Sequence, residues 1–196
     1  MPELTQRIDP KRAALLVMDF QAGIIEMLGD AGALVARAAL AIRSMRDCGG
    51  HIGYVRVALT DTEFAAIPDR NKGFWAAKNS GRAFQADAPA TAIDERLAPQ
   101  SGDIVVRKTR VGAFSTTDLA EQLRSRDIDT LLLAGISTSG VVLSTLRDAA
   151  DRDFRLFVLA DACADPAPDV HTMLVEKVFP RQCEVISTTD LPKLFS

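Results

Sequence analysis

Short apolar runs recur along this chain, most of them followed by a stretch that reads as a helix, and no other feature restricts its folding choices as strongly. Ala13–Asp19 (AALLVMD) opens the series. Ile52–Val57, Asp103–Arg107 (DIVVR), Thr130–Ile136 (TLLLAGI), Leu156–Ala160 (LFVLA) and Glu184–Ser187 continue it. Runs this short and this apolar are what strands covered on both faces require. Between them the periodicity changes to that of helices. Leu34, Val35, Ala38, Ala39, Ile42 and Met45 form one face of a helix predicted over Ala31–Arg46, which Gly49-Gly50 stops. Further helices are predicted over Thr117–Arg126, Ser139–Arg152 and Asp169–Phe179, the last entered by Pro168 and left by Pro180. Residues from about Thr60 to Gln100 carry several prolines and weak periodicity, and are expected to hold short helical pieces. The alternation predicts an α/β fold, a doubly wound, Rossmann-like parallel sheet with helices on both faces and right-handed crossovers. No linker or repeat divides it, so residues 1–196 are read as a single domain.

Charge and composition remove several function classes. The net charge is −3, which gives no electrostatic footprint for nucleic acid or an anionic membrane. No apolar run approaches the roughly 20 residues of a membrane span, and MPELTQRIDPKR lacks the apolar region of a signal peptide. Cys48, Cys163 and Cys183 are an odd count with no close pair, as expected for reduced thiols in a cytoplasm. His51 and His171 are the two histidines, too few for a His-rich metal site.

In a doubly wound sheet, ligands bind beyond the carboxyl ends of the strands. The first strand ends in Asp19-Phe20-Gln21 and the third runs into Lys108. Each would be costly to bury alone, and together they suggest an Asp–Lys pair that keeps both charged and placed for proton transfer. The fourth strand delivers Gly135-Ile136-Ser137-Thr138-Ser139-Gly140. Small residues at a strand-to-helix turn can present backbone N–H groups to an oxyanion. Val141-Val142 stand where a phosphate-binding Walker loop needs Lys and Ser/Thr, so that motif is rejected.

Taken in order, LLVMDFQ, VVRKTRVGAFSTTDL and LLLAGISTSGVVLSTLRDAADRDFRLFVLADACAD resemble the isochorismatase-like, or cysteine-hydrolase, superfamily over nearly the whole chain. The resemblance implies a six-stranded parallel sheet and an active site built from Asp19, Lys108 and the start of the helix after the fourth strand. It implies a cis peptide at Ile136–Ser137, and Ser137 and Val141 as the backbone anion site. It also implies a small-molecule substrate and a homo-oligomer.

The family pattern Gly-x-x-Thr-x-x-Cys-Val-x-x-Thr is matched at Gly135, Thr138, Val142 and Thr145, but its nucleophilic cysteine is replaced by Val141. Loss of a nucleophile costs a protease about 10⁶-fold in turnover. None of the three cysteines aligns as a substitute, and no base is assignable to Ser137, Ser139 or Ser144. The nicotinamidase branch carries an Asp-x-His metal site where this chain has Thr60-Asp61-Thr62, so neither a metal nor another cofactor is expected. The branch of true isochorismatases also lacks the cysteine and splits a vinyl ether by general acid catalysis, with Asp and Lys at the positions of Asp19 and Lys108. Its usual Tyr-Ala-His turn is Ser137-Thr138-Ser139 here. The expectation is a hydrolase acting through Asp19 and Lys108 without a covalent thioester; the alternative is a catalytically silent binding protein on the same fold. Phe20, Gln21, Arg56, Trp75, Phe84 and Phe114 are the candidate pocket residues.

Overall fold

The computed structural model describes residues 7–78 and 84–195. Six parallel strands, β1 (Ala13–Met18), β2 (His51–Val57), β3 (Ile104–Lys108), β4 (Thr130–Ile136), β5 (Arg155–Ala164) and β6 (Glu184–Ile186), lie in the order β3-β2-β1-β4-β5-β6. The chain moves outward in one direction from β1 to β3 and in the other from β4 to β6. The direction therefore reverses between β1 and β4, and their carboxyl ends frame the crevice where such sheets take ligands.

Side-chain alternation along the strands divides the core in two. Leu15, Val17, Ile52, Tyr54, Leu132 and Phe157 face one side and pack on α2 (Gly32–Asp47) through Val35, Ala38, Ile42 and Met45. Leu16, Met18, Val55, Val106, Leu133 and Val158 face the other. There they meet α5 (Leu119–Arg124), α6 (Leu143–Ala150) and the segment that begins as α7 (Pro168–Met173). Every residue of β1 and β4 is buried, as central doubly covered strands must be. Three further short helices, α1 (Ala22–Glu26), α3 (Asp61–Ala65) and α4 (Lys72–Lys78), stand at the carboxyl edge or in the long excursion after β2.

Several boundaries differ from the sequence reading. The helix expected over Ser139–Arg152 starts with a wide π-helical turn, Thr138–Val142, before α6. The one expected over Asp169–Phe179 relaxes after Met173 into a second wide turn, Leu174–Val178. β5 runs on to Ala164 through an irregularity that shifts its register against β4 between Leu133 and Gly135. That shift sets Cys163 opposite Gly135. α1 had no signal of its own, since it is a five-residue helix held by tertiary contacts rather than by propensity.

Candidate active site

β1 and β3 deliver an acid and a base to one point. Alternation along β1 would send residue 19 to the α2 side with Val17. Asp19 instead adopts φ of 59°, a left-handed conformation that is uncommon for a residue with a Cβ and is found where a site dictates it. Its N–H still donates to the Val55 carbonyl at 2.8 Å, so the strand ladder holds up to the turn itself. The Asp19 carboxylate meets Lys108, whose ammonium is 2.8 Å from Oδ2. Lys108 also donates to the Arg110 carbonyl at 3.2 Å. Both residues are inside the protein, at 5% and 2% exposure.

Burial pushes the Asp19 carboxyl up to about 6 from its ordinary 3.8, against the pull of Lys108. The second oxygen, Oδ1, is buried and has no hydrogen-bond partner among the described residues. An acceptor left bare at that depth costs about 1–3 kcal/mol unless something occupies it.

The turn after β4 closes the crevice from the other side. Gly135 pairs with Met18 of β1, and a Cβ on it would stand 3.0 Å from Val142 Cγ2 and 3.1 Å from the Met18 carbonyl. The absent side chain is what lets the wide turn settle against β1. Ile136–Ser137 is a cis peptide. The Ser137 carbonyl accepts from the N–H groups of Gly140 and Val142 at 3.2 and 3.3 Å. Asp165, just past β5, accepts from the Ser139 N–H at 2.7 Å and from the Ala167 N–H at 3.2 Å. Thr138 is fully buried, and its hydroxyl lies 2.8 Å from Nδ1 of His171 on α7. Thr145 accepts from the Ala113 N–H at 3.1 Å, which ties the loop after Lys108 to α6. Val141, 2% exposed, packs with Val142 in the α5–α6 side of the core.

The six candidate pocket residues divide. Phe20 is buried among the side chains under α2 rather than turned toward Asp19. Gln21 is spent on the fold: its amide donates to the carbonyls of Val57 and Thr91 at 2.9 Å, and its oxygen accepts from the Val57 N–H at 2.7 Å. Arg56 lies beside Arg107 on the sheet face opposite Lys108, where it donates to the Thr91 carbonyl at 3.1 Å. Burial, then the neighbouring Arg107, lowers its pKa. Phe114 stacks on Phe154, 6.1 Å away between ring centres, at the start of β5 and so away from the carboxyl edge. Phe84 packs with Phe74 and Ile24 around Val57 and Leu59, close to the end of β2. Trp75, the neighbour of Phe74 on α4, carries the Lys78 ammonium 5.2 Å from its ring centre.

Two residues that hold the turn, Asp165 and His171, are absent from the candidates read from the sequence. They gave no periodic signal and reach the turn only by tertiary packing. Phe74 and Arg110 meet across the excursion, the guanidinium 5.4 Å from the ring centre. Asp61, in the Thr60-Asp61-Thr62 segment, accepts from Gln85 at 2.8 Å. Among the described residues no three His, Cys, Asp or Glu side chains converge as a metal site. Cys163 sits in the core with its thiol 3.8 Å from the Leu133 carbonyl, and burial pushes it up to about 12, as it does Cys183. Cys48 is also raised. Thiols held protonated in this way are poor nucleophiles.

The fold is a Rossmann-like α/β domain with a buried Asp–Lys pair at its topological switch, and comparison with known proteins gives it a family. The family model described as the isochorismatase domain matches residues 13–190. The isochorismatase family protein YwoC of Bacillus subtilis is 32% identical over 177 residues, covering 90% of each chain. Phenazine biosynthesis protein PhzD of Pseudomonas fluorescens is 32% identical over 187 residues, 93% of this chain and 86% of its own. Maleamate amidohydrolase of Pseudomonas putida is 28% identical over 186 residues, 92% and 85%. Among solved structures, a cysteine hydrolase from Pseudomonas syringae superposes with a TM-score of 0.87 at 24% identity, over 100% of this chain and 97% of that one. The chain belongs to the isochorismatase family of hydrolases.

Proposed function

We propose that this protein hydrolyses a small organic molecule by acid–base chemistry at Asp19 and Lys108, without a covalent thioester, and that Val141 fills the seat of the nucleophile. The observation that carries this is the state of Asp19: one oxygen paired to Lys108, the other buried and unpartnered, and a carboxyl lifted to about 6. A carboxyl poised there can give a proton near neutral pH and take one back. In the vinyl-ether form of the reaction, Asp19 protonates the alkene carbon and an oxocarbenium forms. Water adds to it, losing its proton to the Asp19 carboxylate, and the hemiketal collapses to a ketone and an alcohol. Lys108 holds the carboxylate in place through both charge states. The backbone at Ser137 and Val141 faces the charge that develops on oxygen. Such a reaction needs no group beyond the chain itself. The protein would work in the cytoplasm, as a homo-oligomer.

A silent, ligand-binding protein is the second reading, and the packing of Val141 into the core favours it. A panel containing a vinyl ether (isochorismate) and a primary amide (maleamate) separates the two. Acid–base hydrolysis predicts turnover of the vinyl ether that Asp19→Asn removes by at least 10³-fold. Turnover of neither compound, with wild type and Asp19→Asn indistinguishable, would favour the silent protein.

A further inference from the structure

β1 pairs with β2 in a parallel register that sets Met18 opposite Val55, so residue 19 falls opposite Arg56. In a parallel ladder a residue at such a position makes two bonds to the neighbouring strand, one through its N–H and one through its carbonyl. The first is made, from the Asp19 N–H to the Val55 carbonyl. The second would run from the Val57 N–H to the Asp19 carbonyl, and both of its ends are engaged elsewhere. Asp19 has turned to φ of 59°, and its carbonyl accepts from the Gln21 N–H at 2.8 Å. The Val57 N–H donates at 2.7 Å to Oε1 of the Gln21 side chain, whose Nε2 donates to the Val57 carbonyl at 2.9 Å. A primary amide carries the acceptor and the donor of a peptide group, so β2 is paired past the end of β1 by a side chain in place of backbone. The same Nε2 donates to the Thr91 carbonyl at 2.9 Å, and Gln21 is fully buried. Had Asp19 kept the register, its side chain would share the face of Arg56 and Arg107, opposite that of Lys108.

We propose that Gln21 is a positioning residue for Asp19: its amide takes over the backbone pairing that Asp19 gives up, which frees Asp19 to turn and bring its carboxylate to Lys108. The part this plays in catalysis rests on the reading of Asp19 and Lys108 as the reacting pair. Gln21 acts only through Asp19. Without the amide, the Val57 N–H loses its acceptor inside the protein, and an unmade bond there is costly. The Asp19 carbonyl is the acceptor that the ladder supplies in its place. Recovering that bond returns Asp19 to the β1 register and swings its carboxylate to the face of Arg56 and Arg107, where neighbouring cations favour the charged form. Asparagine carries the same amide, but one methylene short of the β2 backbone.

The test follows the Asp19 carboxyl itself. Its side-chain carbon resonance, assigned by its loss in Asp19→Asn, is titrated by NMR in wild type, Gln21→Met, Gln21→Asn and Leu123→Ala, the last a control that weakens the core under α5. Wild type and Leu123→Ala should both titrate near 6. Gln21→Met and Gln21→Asn should each weaken proton binding at Asp19 by about tenfold or more. The fall of kcat/KM on the vinyl ether should move to lower pH with it. A wild-type titration in either Gln21 variant would overturn the proposal, because a merely structural glutamine costs stability and leaves Asp19 as it is. Wild type also supplies a check that needs no variant to fold. The NMR coupling across the hydrogen bond from the Val57 amide nitrogen should run to the side-chain carbonyl carbon of Gln21, and a coupling to the Asp19 carbonyl carbon instead would equally overturn the proposal. Failure of the underlying reading looks different: Asp19→Asn would then leave turnover of the vinyl ether untouched while the Gln21 variants still moved the Asp19 titration.

Discussion

Asp19 combines three costs in one side chain: a left-handed backbone, burial, and an oxygen without a partner. Position 19 would be easier to fill with a glycine or a solvated loop residue if the fold alone were at stake. The proposed function gives the residue a chemical role, and its energetics are open to measurement. Removing one member of a buried pair leaves the other uncompensated, so Lys108→Met should destabilise by about 3–5 kcal/mol in urea. Adding Asp19→Asn to that variant should restore a large part of the loss. The sign of the pH dependence follows from the raised carboxyl. The folded protein binds a proton on Asp19 more tightly than the unfolded chain, so this group's contribution is largest below its ordinary pKa. It is lost as pH rises from about 4 to about 6. The stability of wild type minus that of the double variant should therefore fall by about 2 kcal/mol between pH 4 and pH 7. A flat difference would mean that Asp19 titrates normally. In catalysis the acid is the protonated form, so kcat/KM should decline as pH rises through 6.

Among the elements, the wide turn at Thr138–Val142 is the part least legible in the sequence and the part closest to the chemistry. Helix periodicity over Ser139–Arg152 was real, but period alone does not separate an α-helix from one that opens with a π turn. What holds the turn comes from elsewhere in the chain: Asp165 after β5, His171 on α7, and Ala113 after β3 through Thr145. By contrast, the apolar runs of β1 and β4 needed no tertiary information, because doubly covered strands announce themselves. The same logic explains which pocket residues were misjudged. Phe20 and Gln21 follow Asp19 directly, yet once φ reverses at Asp19 their side chains go to the core and to the β2 backbone. A reading by proximity in sequence cannot see that reversal. Gly135→Ala tests the fit of the turn against β1. The added Cβ meets Val142 and the Met18 backbone at 3.0–3.1 Å, and overpacking of this kind costs about 1–3 kcal/mol. The urea midpoint should fall accordingly, and an unchanged midpoint would show that the turn can yield.

For the molecule as a whole, the order β3-β2-β1-β4-β5-β6 decides where chemistry can occur, and it does so before any side chain is considered. Reversal between β1 and β4 places Asp19 and the Ser137–Val141 turn at one crevice, and β3 brings Lys108 to it. Surface depressions at the opposite edge are lined by paired charges such as Arg12 and Asp129. They belong to strand entrances rather than to the switch point. Fold and family were legible because alternation and three ordered motifs span nearly the whole chain. The contacts of the long excursion were less so, because Phe74 and Arg110 come together only when the segment after β2 folds back on the loop after β3. The thiols stand outside this arrangement, with Cys163 and Cys183 held protonated by burial. The measurement that bears most directly on the central claim is therefore steady-state hydrolysis of a vinyl ether by a variant with all three cysteines replaced (Cys48→Ser, Cys163→Ala, Cys183→Ala). Acid–base catalysis by Asp19 and Lys108 predicts a kcat/KM within about threefold of wild type, and its collapse when Asp19→Asn is added. Activity that disappears with the cysteines, or that survives the loss of the Asp19 carboxylate, would contradict it.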